Sequence, residues 1–199
     1  MKDKVILTDC DGVLLDWGYA FDQWMSRHGY EINPSYHSNY AMAQRYSLEK
    51  KESRRLIRMF NESATIRKLP PLRDAIKYVK KLHEEHGYVF HAITSLSNDQ
   101  YAQHLRTKNL IEMFGPTVFE RYIYLDCGAD KDEELYKYKD TECWWIEDKI
   151  ANAEVGRDMG LRPLLMVHDH NRSYEGEGIE KVYSWRDIYE RVLDQSLSG

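Results

Sequence analysis

Cysteine is scarce in this chain and long apolar runs are absent, and both features limit what the protein can be. The 199 residues include three cysteines, Cys10, Cys127 and Cys143, an odd number without paired spacing. We therefore expect reduced thiols rather than a disulfide framework. The apolar stretch near the N-terminus is too short for a signal peptide or a membrane span, so we expect a cytoplasmic protein without a membrane partner.

An excess of positive charge is also missing. The formal net charge is -5, which argues against a general nucleic-acid binder. Hydrophobic residues make up 42% of the chain and charged residues 31%, as in ordinary globular proteins. This length suffices for one domain with a real core, or for a domain with a small insertion. The sequence contains neither internal repeats nor low-complexity segments.

Short apolar runs alternate with helical patterns along most of the chain. Strands are predicted at Val5–Thr8, 88–94, 122–125, 143–146 and 163–167. Helical spacing predicts helices over 73–86 and 150–160, and Asn98 is suited to cap another helix between them. Nearly continuous apolar strands separated by helices are typical of a parallel sheet. The pattern therefore predicts an α/β, Rossmann-like fold with helices on both faces of the sheet.

One connection is much longer than a parallel crossover requires. About eighty residues separate the first two predicted strands, whereas a crossover needs about a dozen. Residues 17–69 are surplus, and Pro70-Pro71 marks the return to the main domain. Two helical stretches are predicted within the surplus, near 18–28 and 47–62. We predict that residues 17–69, called the insert below, form a small helical cap on a core domain of residues 1–16 and 70–199.

Two carboxylates, Asp9 and Asp11, follow the first predicted strand, and Gly12 then supplies a sharp turn. Residues two apart in a strand share a side, so we expect both carboxylates to project together. Two acids this close repel each other unless one is protonated or a cation lies between them. The pair therefore predicts a catalytic or metal site. Negative neighbours raise the pKa of a thiol, which argues against Cys10 as a nucleophile.

Polar groups follow other predicted strands as well. Thr94 and Ser95 begin a hydroxyl-rich turn that can bind an anion or simply cap the next helix. Glu147 and Asp148 form a second acidic pair, followed by Asn152. Because the carboxyl ends of parallel strands meet at one edge, these groups together predict an oxygen-ligand site for Mg²⁺. A nearby hydroxyl and a lysine would hold an anion, and phosphate suits that set. The lysines that lie between the third and fourth strands are Lys131, Lys137 and Lys139.

In order and spacing, these motifs resemble those of the haloacid dehalogenase-like superfamily, in its phosphatase branch. The segment Asp9-Cys10-Asp11-Gly12-Val13 is similar to its first motif and Ala92-Ile93-Thr94-Ser95 to its second. Lys131 matches the third motif and Glu147-Asp148 the fourth. The resemblance implies that Asp9 attacks phosphorus and forms a phosphoaspartate. It implies that Asp11 protonates the leaving alkoxide and then activates water.

The resemblance also implies two sets of ligands. The transferred phosphoryl group would be bound by Thr94, Ser95 and Lys131. Mg²⁺ would be bound by Asp9, Asp11 (through its backbone carbonyl) and Asp148, with Glu147 and Asn152 in support. The sequence leaves open whether Lys131 or Lys137 serves.

A narrower resemblance concerns the 5'(3')-deoxyribonucleotidases, which are Mg²⁺-dependent nucleoside monophosphate phosphatases with a helical cap. The segments that carry it are 9–17, 66–75, 119–125, 170–172 and 184–193. It implies a small phosphorylated metabolite, a nucleotide, as substrate. Three alternatives stay open: a sugar phosphate or a phosphomutase substrate, a phosphorylated polynucleotide end, and a binding protein without catalysis. The sequence is compatible with a homodimer but does not predict an oligomeric state.

The insert is rich in aromatic residues, namely Trp17, Tyr19, Phe21, Trp24, Tyr40, Tyr46 and Phe60. A segment of about fifty residues needs large side chains to form any core, and this explains most of them. One or two could stack on a nucleobase, and we select Phe21 and Tyr46 as the candidates.

The segment His168-Asp169-His170 resembles a metal-binding motif, but no further Cys or His cluster accompanies it. We interpret it as the loop after the fifth strand. Because that strand ends at the same edge as the acids, His170 and Arg172 are within reach of the active-site mouth.

Overall fold

A six-stranded parallel sheet organises the chain in this computed structural model, which describes residues 4–196. The strands are β1 (Val5–Thr8), β2 (Val89–Ser95), β3 (Phe119–Leu125), β4 (Trp144–Glu147), β5 (Arg162–Met166) and β6 (Glu180–Val182). The helices are α1 (Trp17–Arg27), α2 (Met42–Arg45), α3 (Lys50–Asn61), α4 (Ala75–Glu84), α5 (Gln100–Phe114), α6 (Asp132–Tyr136), α7 (Ile150–Asp158) and α8 (Trp185–Ser196). Two short 3₁₀ helices, Pro34–Tyr36 and Ala64–Lys68, complete the set. Among residues 4–196, no helix combines the length and the apolar character that crossing a membrane requires.

Buried side chains alternate between the two faces of the sheet, as the strand period dictates. Ile6 and Phe90 belong to the larger core cluster, which also contains the buried faces of α4, α5 and α8. Leu7 and Trp145 belong to a second cluster, which includes Leu135 of α6 and is extended by Val155 of α7. The predicted α/β fold with helices on both faces is confirmed.

The strand order, β3-β2-β1-β4-β5-β6, reverses direction at β1. The chain leaves β1 towards β2 and β3, then crosses back to place β4 on the other side of β1. In open α/β sheets, ligands bind outside the carboxyl ends of the strands at such a reversal. The fold therefore directs attention to the residues that follow β1 and β4.

Some details of the prediction for the core are wrong. Strand β6 was not predicted, because its three residues Glu180–Val182 carry no apolar run. The cap of α5 is Asp99 rather than Asn98, since the Asp99 carboxylate accepts a hydrogen bond from the backbone N–H of Ala102 at 2.7 Å. Strand β3 begins at Phe119, three residues earlier than expected, because two of its added residues are polar and exposed.

The insert is helical, as predicted, and its aromatic side chains pack on one another. The ring of Phe21 stacks on Trp17 at a centroid distance of 4.7 Å and meets Phe60 edge-on at 5.2 Å. Phe21 and Phe60 belong to the same buried cluster as the sheet residues beside α4 and α8, and Trp17 packs against it. The short helix α2 was not expected, and α3 begins at Lys50. The division into two domains at residues 17 and 69 stays a prediction.

Candidate active site

Three buried carboxylates meet where β1 and β4 end. Asp9 follows β1, Glu147 is the last residue of β4, and Asp148 follows it. One carboxylate oxygen of each lies within 4.8 Å of the others, and we call these three residues the acid cluster. Their exposed fractions are 8%, 0% and 8%. The backbone N–H of Asp9 donates to the carbonyl of Ile146 at 2.9 Å, which ties the two strand ends together.

Lys131 provides the positive charge inside the acid cluster. Its Nζ lies 2.8 Å from Asp9 Oδ2 and 2.8 Å from Glu147 Oε2, and only 2% of the residue is exposed. Burial alone would lower the pKa of Lys131, but the carboxylates of Asp9 and Glu147 raise it above its usual value. Lys137 pairs instead with Glu134 on the surface. Of the two lysines considered from the sequence, Lys131 is the one that lies in the site.

Glu147 anchors the loop and the lysine. Its Oε1 accepts hydrogen bonds from the backbone N–H groups of Asp148 and Lys149, both at 3.0 Å. Its Oε2 accepts from Lys131 at 2.8 Å and from the Asn152 amide at 3.1 Å. Burial raises the pKa of Glu147, yet Lys131 and these donors together hold it below its usual range. Because both oxygens already have partners, Glu147 and Asn152 lie in supporting positions.

Too little positive charge lies near Asp9 and Asp148 to keep both carboxyl groups ionised. Burial raises the pKa of Asp9 to about 7; Lys131 acts in the opposite direction, and Glu147 and Asp11 add to the rise. The pKa of Asp148 is raised well above its usual value by burial and by the negative charges of Glu147 and Asp9. One ammonium group does not neutralise three carboxylates, so an added cation would stabilise the ionised cluster.

The backbone leaves room for this cluster at Gly12. The residue has a φ of +74°, and a Cβ there would lie 2.4 Å from Asp148 Oδ2. Any side chain at position 12 would therefore displace Asp148. Lys131 supplies one positive charge for three acids, and carboxylates are ligands that Mg²⁺ favours, so Asp9 and Asp148 fit a divalent cation.

Gly12→Ala is accordingly expected to weaken Mg²⁺ binding at least about tenfold. The reason is displacement of Asp148, added to about 1–2 kcal/mol of backbone strain at positive φ. The matched control is Gly87→Ala, because Gly87 has a φ of +71° with nothing within 4 Å of its Cβ position. Titration with Mg²⁺, followed through the rise in Tm, separates the two variants, and an equal loss of Mg²⁺ binding in both would contradict this account.

The carboxylate of Asp11 points to a different partner. Its Oδ1 accepts a hydrogen bond from Arg106 Nη1 at 2.7 Å, and its side chain is 22% exposed. The sequence predicted that the carboxylates of Asp9 and Asp11 would lie together. In the structure Asp11 is not part of the acid cluster, because its carboxylate is paired with Arg106. Arg106 lies in the middle of α5, where no local signal distinguishes it from a solvated arginine.

The two hydroxyls after β2 differ in their bonding. Thr94 is 1% exposed, and its Oγ1 has no hydrogen-bond partner among the described residues. Buried hydroxyls of this kind are normally satisfied by a ligand or by water. Ser95 donates its hydroxyl to the carbonyl of Ala129 at 2.8 Å, just before Lys131. Thr94 therefore has a hydroxyl free for an anion, whereas Ser95 braces the loop that carries the lysine.

The loop after β5 supplies two histidines beside the acid cluster. His168 Nε2 lies 2.7 Å from the carbonyl of Gly12, and His170 Nε2 lies 3.9 Å from Asp148 Oδ2. Burial lowers the pKa of both imidazoles. Arg172, by contrast, is exposed and pairs with Asp169. Of the two residues expected at the active-site mouth, His170 lies beside Asp148, whereas Arg172 makes no contact with the acid cluster among the described residues.

The insert residues selected for base stacking lie in a core. Phe21 is 1% exposed and packed between other rings, and Tyr46 is 5% exposed with its hydroxyl donated to Asp22. Neither ring has a face open to a ligand. The ring of Tyr40 is open to a ligand, since the residue is 51% exposed. Its ring centroid lies 4.7 Å from that of His170. Both line a cleft of about 320 Å³ between the insert and the loop after β5.

Comparisons with known proteins give the class of this fold. No known family profile matches the chain. The "Uncharacterized 32.4 kDa protein in Gp30-rIII intergenic region" of Enterobacteria phage T4 is 23% identical over 195 residues, which cover 94% of this chain and 69% of that protein.

Solved structures match over nearly the whole length. The haloacid dehalogenase-like family protein SP0104 from Streptococcus pneumoniae has a TM-score of 0.65 at 13% identity, over 96% of this chain and 99% of that one. CbbY from Rhodobacter sphaeroides, in complex with phosphate, has a TM-score of 0.61 at 14% identity, over 94% of this chain and 96% of that one. The putative hydrolase YfnB from Bacillus subtilis, bound to magnesium, has a TM-score of 0.61 at 12% identity, over 97% of this chain and 100% of that one. The chain therefore has the fold of the haloacid dehalogenase-like hydrolases.

Proposed function

We propose that this protein is a Mg²⁺-dependent phosphomonoester hydrolase that acts through a phosphoaspartate at Asp9. The observation that carries the proposal is the setting of Asp9. This buried carboxylate lies at the reversal point of the sheet, in contact with Lys131 and next to a second acid, Asp148. Structural neighbours that bind phosphate and magnesium support the same chemistry.

Asp9 is held in one orientation for attack. Its Oδ1 accepts from the backbone N–H of Cys10 at 2.7 Å and its Oδ2 from Lys131 at 2.8 Å. Such orientation lowers the barrier by positioning the reacting oxygen in advance. Attack on phosphorus forms the Asp9 O–P bond and breaks the bond between phosphorus and the leaving oxygen. Asp11 supplies a proton to that oxygen, and the alcohol departs.

The second half-reaction returns the enzyme to its starting state. Asp11, now a carboxylate, takes a proton from water as the water oxygen attacks phosphorus. The Asp9 O–P bond breaks, which frees the Asp9 carboxylate and inorganic phosphate. Lys131 and Thr94 would bind oxygens of the transferred group through charge and a hydrogen bond. Asp9, Asp148 and the carbonyl of Asp11 would hold Mg²⁺, which offsets the negative charge of phosphate and acids when bound.

The substrate we propose is a nucleoside or deoxynucleoside 5'-monophosphate. Its support is the resemblance to the deoxyribonucleotidases, together with the cleft that Tyr40 and His170 line. Aromatic rings suit the flat face of a base. The cleft lies beside the acid cluster, because His170 Nε2 is 3.9 Å from Asp148 Oδ2.

A panel of phosphomonoesters tests this substrate class. We expect kcat/KM for deoxynucleoside 5'-monophosphates to exceed that for ribose 5-phosphate at least tenfold, and Tyr40→Ala to reduce this ratio because stacking is worth about 1–3 kcal/mol per base. Tyr19→Ala, an exposed tyrosine of the insert outside the cleft, is the control. Equal activity on both substrates would favour a sugar phosphatase. Absence of phosphate release from every ester with Mg²⁺ present would favour a binding protein.

A further inference from the structure

Arg106 is fully buried, with 0% of its surface exposed, although it carries a permanent charge. Its Nη1 contacts Asp11 Oδ1 at 2.7 Å. Its Nε and Nη2 are also buried and have no partner among residues 4–196. The hydrogen bonding of this guanidinium, within the described part of the chain, is therefore directed at Asp11.

This arrangement is costly for a structural ion pair. Burial of a charge carries a penalty of several kcal/mol, which is offset only when the geometry is good and the remaining donors are satisfied. Here two of the donor nitrogens are unsatisfied, and an apolar side chain of similar volume would serve the core as well or better. The cost indicates a role for Arg106 at the residue it contacts.

Asp11 is oriented by this contact but not enclosed by it. Its side chain is 22% exposed, and no hydrogen bond to its Oδ2 is present among the described residues. One carboxylate oxygen is thus fixed from inside the protein, while the other remains available on the open side. A carboxyl group that exchanges protons with substrate and water must be oriented and must keep one oxygen accessible, and this arrangement provides both.

We propose that Arg106 is a positioning residue that holds Asp11 in place for proton transfer to the leaving oxygen. The inference rests on the proposed function and adds a requirement to it. In the step concerned, the P–O bond to the leaving group breaks, the bond from Asp9 to phosphorus forms, and the Asp11 proton passes to the leaving oxygen. Arg106 acts through Asp11 and is not needed for the attack of Asp9 itself.

Esters whose leaving groups differ in stability distinguish a role in proton transfer through Asp11 from a role in the attack of Asp9. Alkyl esters, such as thymidine 5'-monophosphate and glycerol 3-phosphate, release an alkoxide that needs the proton. The ester p-nitrophenyl phosphate releases a stable phenolate that does not. For a reaction through a phosphoenzyme, kcat/KM reports the steps up to loss of the leaving group, so the second half-reaction does not affect the comparison.

We expect Arg106→Met to lower kcat/KM about 10- to 100-fold for the alkyl esters and less than about threefold for p-nitrophenyl phosphate, in line with the size of general-acid effects. Asp11→Asn should show the same selective loss. The double variant should lose no more than Asp11→Asn alone, because Arg106 acts through Asp11. Arg106→Lys, which keeps the charge, should recover part of the loss on alkyl esters.

Asn109→Ala is the matched control. Asn109 lies on α5 at the same 0% exposure and donates its side-chain amide to the carbonyl of Leu69. Its replacement disturbs a buried polar group on this helix, and it should change kcat/KM by the same factor for both ester classes. Thermal unfolding of each variant reports on the fold, and Arg106→Lys provides the comparison if Arg106→Met is unfolded.

The outcomes distinguish this inference from the proposed function. Equal losses on both ester classes, or no loss on either, in an enzyme that Asp9→Asn inactivates would overturn the role of Arg106 alone. That role is also overturned if Asp11→Asn shows no preference between leaving groups. A wild-type protein that hydrolyses none of the three esters in the presence of Mg²⁺ would overturn both proposals.

Discussion

Asp9→Asn is expected to abolish phosphate release while the fold remains intact. An amide of the same size cannot form the phosphoaspartate, and loss of a catalytic nucleophile costs at least about 10³-fold in turnover. The fold should tolerate the change because burial already raises the pKa of Asp9 to about 7, so removal of this carboxylate eliminates an unfavourable buried charge. Lys131 keeps its contact with Glu147 at 2.8 Å.

The measurement is phosphate release from the preferred ester together with circular dichroism and thermal unfolding. The neighbouring Cys10→Ala is the control. Burial raises the pKa of the Cys10 thiol to about 12, so this residue cannot act as the nucleophile in its place. Cys10→Ala should retain most of its turnover. Full activity of Asp9→Asn in a clean preparation would reject the mechanism.

Removal of Mg²⁺ is expected to have an effect of similar size. A chelator should stop turnover, and re-addition of Mg²⁺ should restore it, because buried acids with raised pKa values need a cation to be ionised together. The same binding should stabilise the fold. At a concentration of about 100 times Kd, the linked gain is about 2.7 kcal/mol, which corresponds to about 5–11 °C in Tm for a chain of this size.

Asp148→Asn separates specific binding from a general effect of the ion. This variant should lose most of the Tm shift and most of the turnover, since it removes one of the two acids that fit the cation. Asp158→Asn changes an exposed acid that pairs with Arg157 at the end of α7, and it should keep both properties. Turnover that persists in excess chelator, or an equal Tm shift in both variants, would disprove the Mg²⁺ site.

The fold and the acid cluster could be predicted because their signals are local. Apolar runs of strand length indicate buried strands, and the residues after each run then meet at one edge of a parallel sheet. Asp9, Glu147 and Asp148 follow from this rule. Lys131 does not, because it lies six positions beyond the end of β3, and it was selected by the resemblance to the third motif. The rule does not extend to Asp11, whose direction depends on a contact with a helix 95 positions away.

Residues whose role depends on tertiary packing could not be predicted. The helical pattern of α5 predicts a surface position for Arg106. The residue is buried because the helix packs against the sheet, which the local sequence does not indicate. In the insert, Phe21 and Tyr46 cannot be told from Tyr40 by type or spacing. Their difference comes from which face packs inward and from where the loop around Tyr40 meets His170.

The reversal of strand order at β1 also bears on how the polypeptide acquires its structure during synthesis. The first strand gains a partner on one side when Val89–Ser95 is made, but its other side stays open until Trp144–Glu147 emerges. A nascent chain that ends before this point exposes the unpaired backbone of β1, which is a site for aggregation. Asp9 acquires Glu147 and Asp148 as neighbours only when this strand has been made.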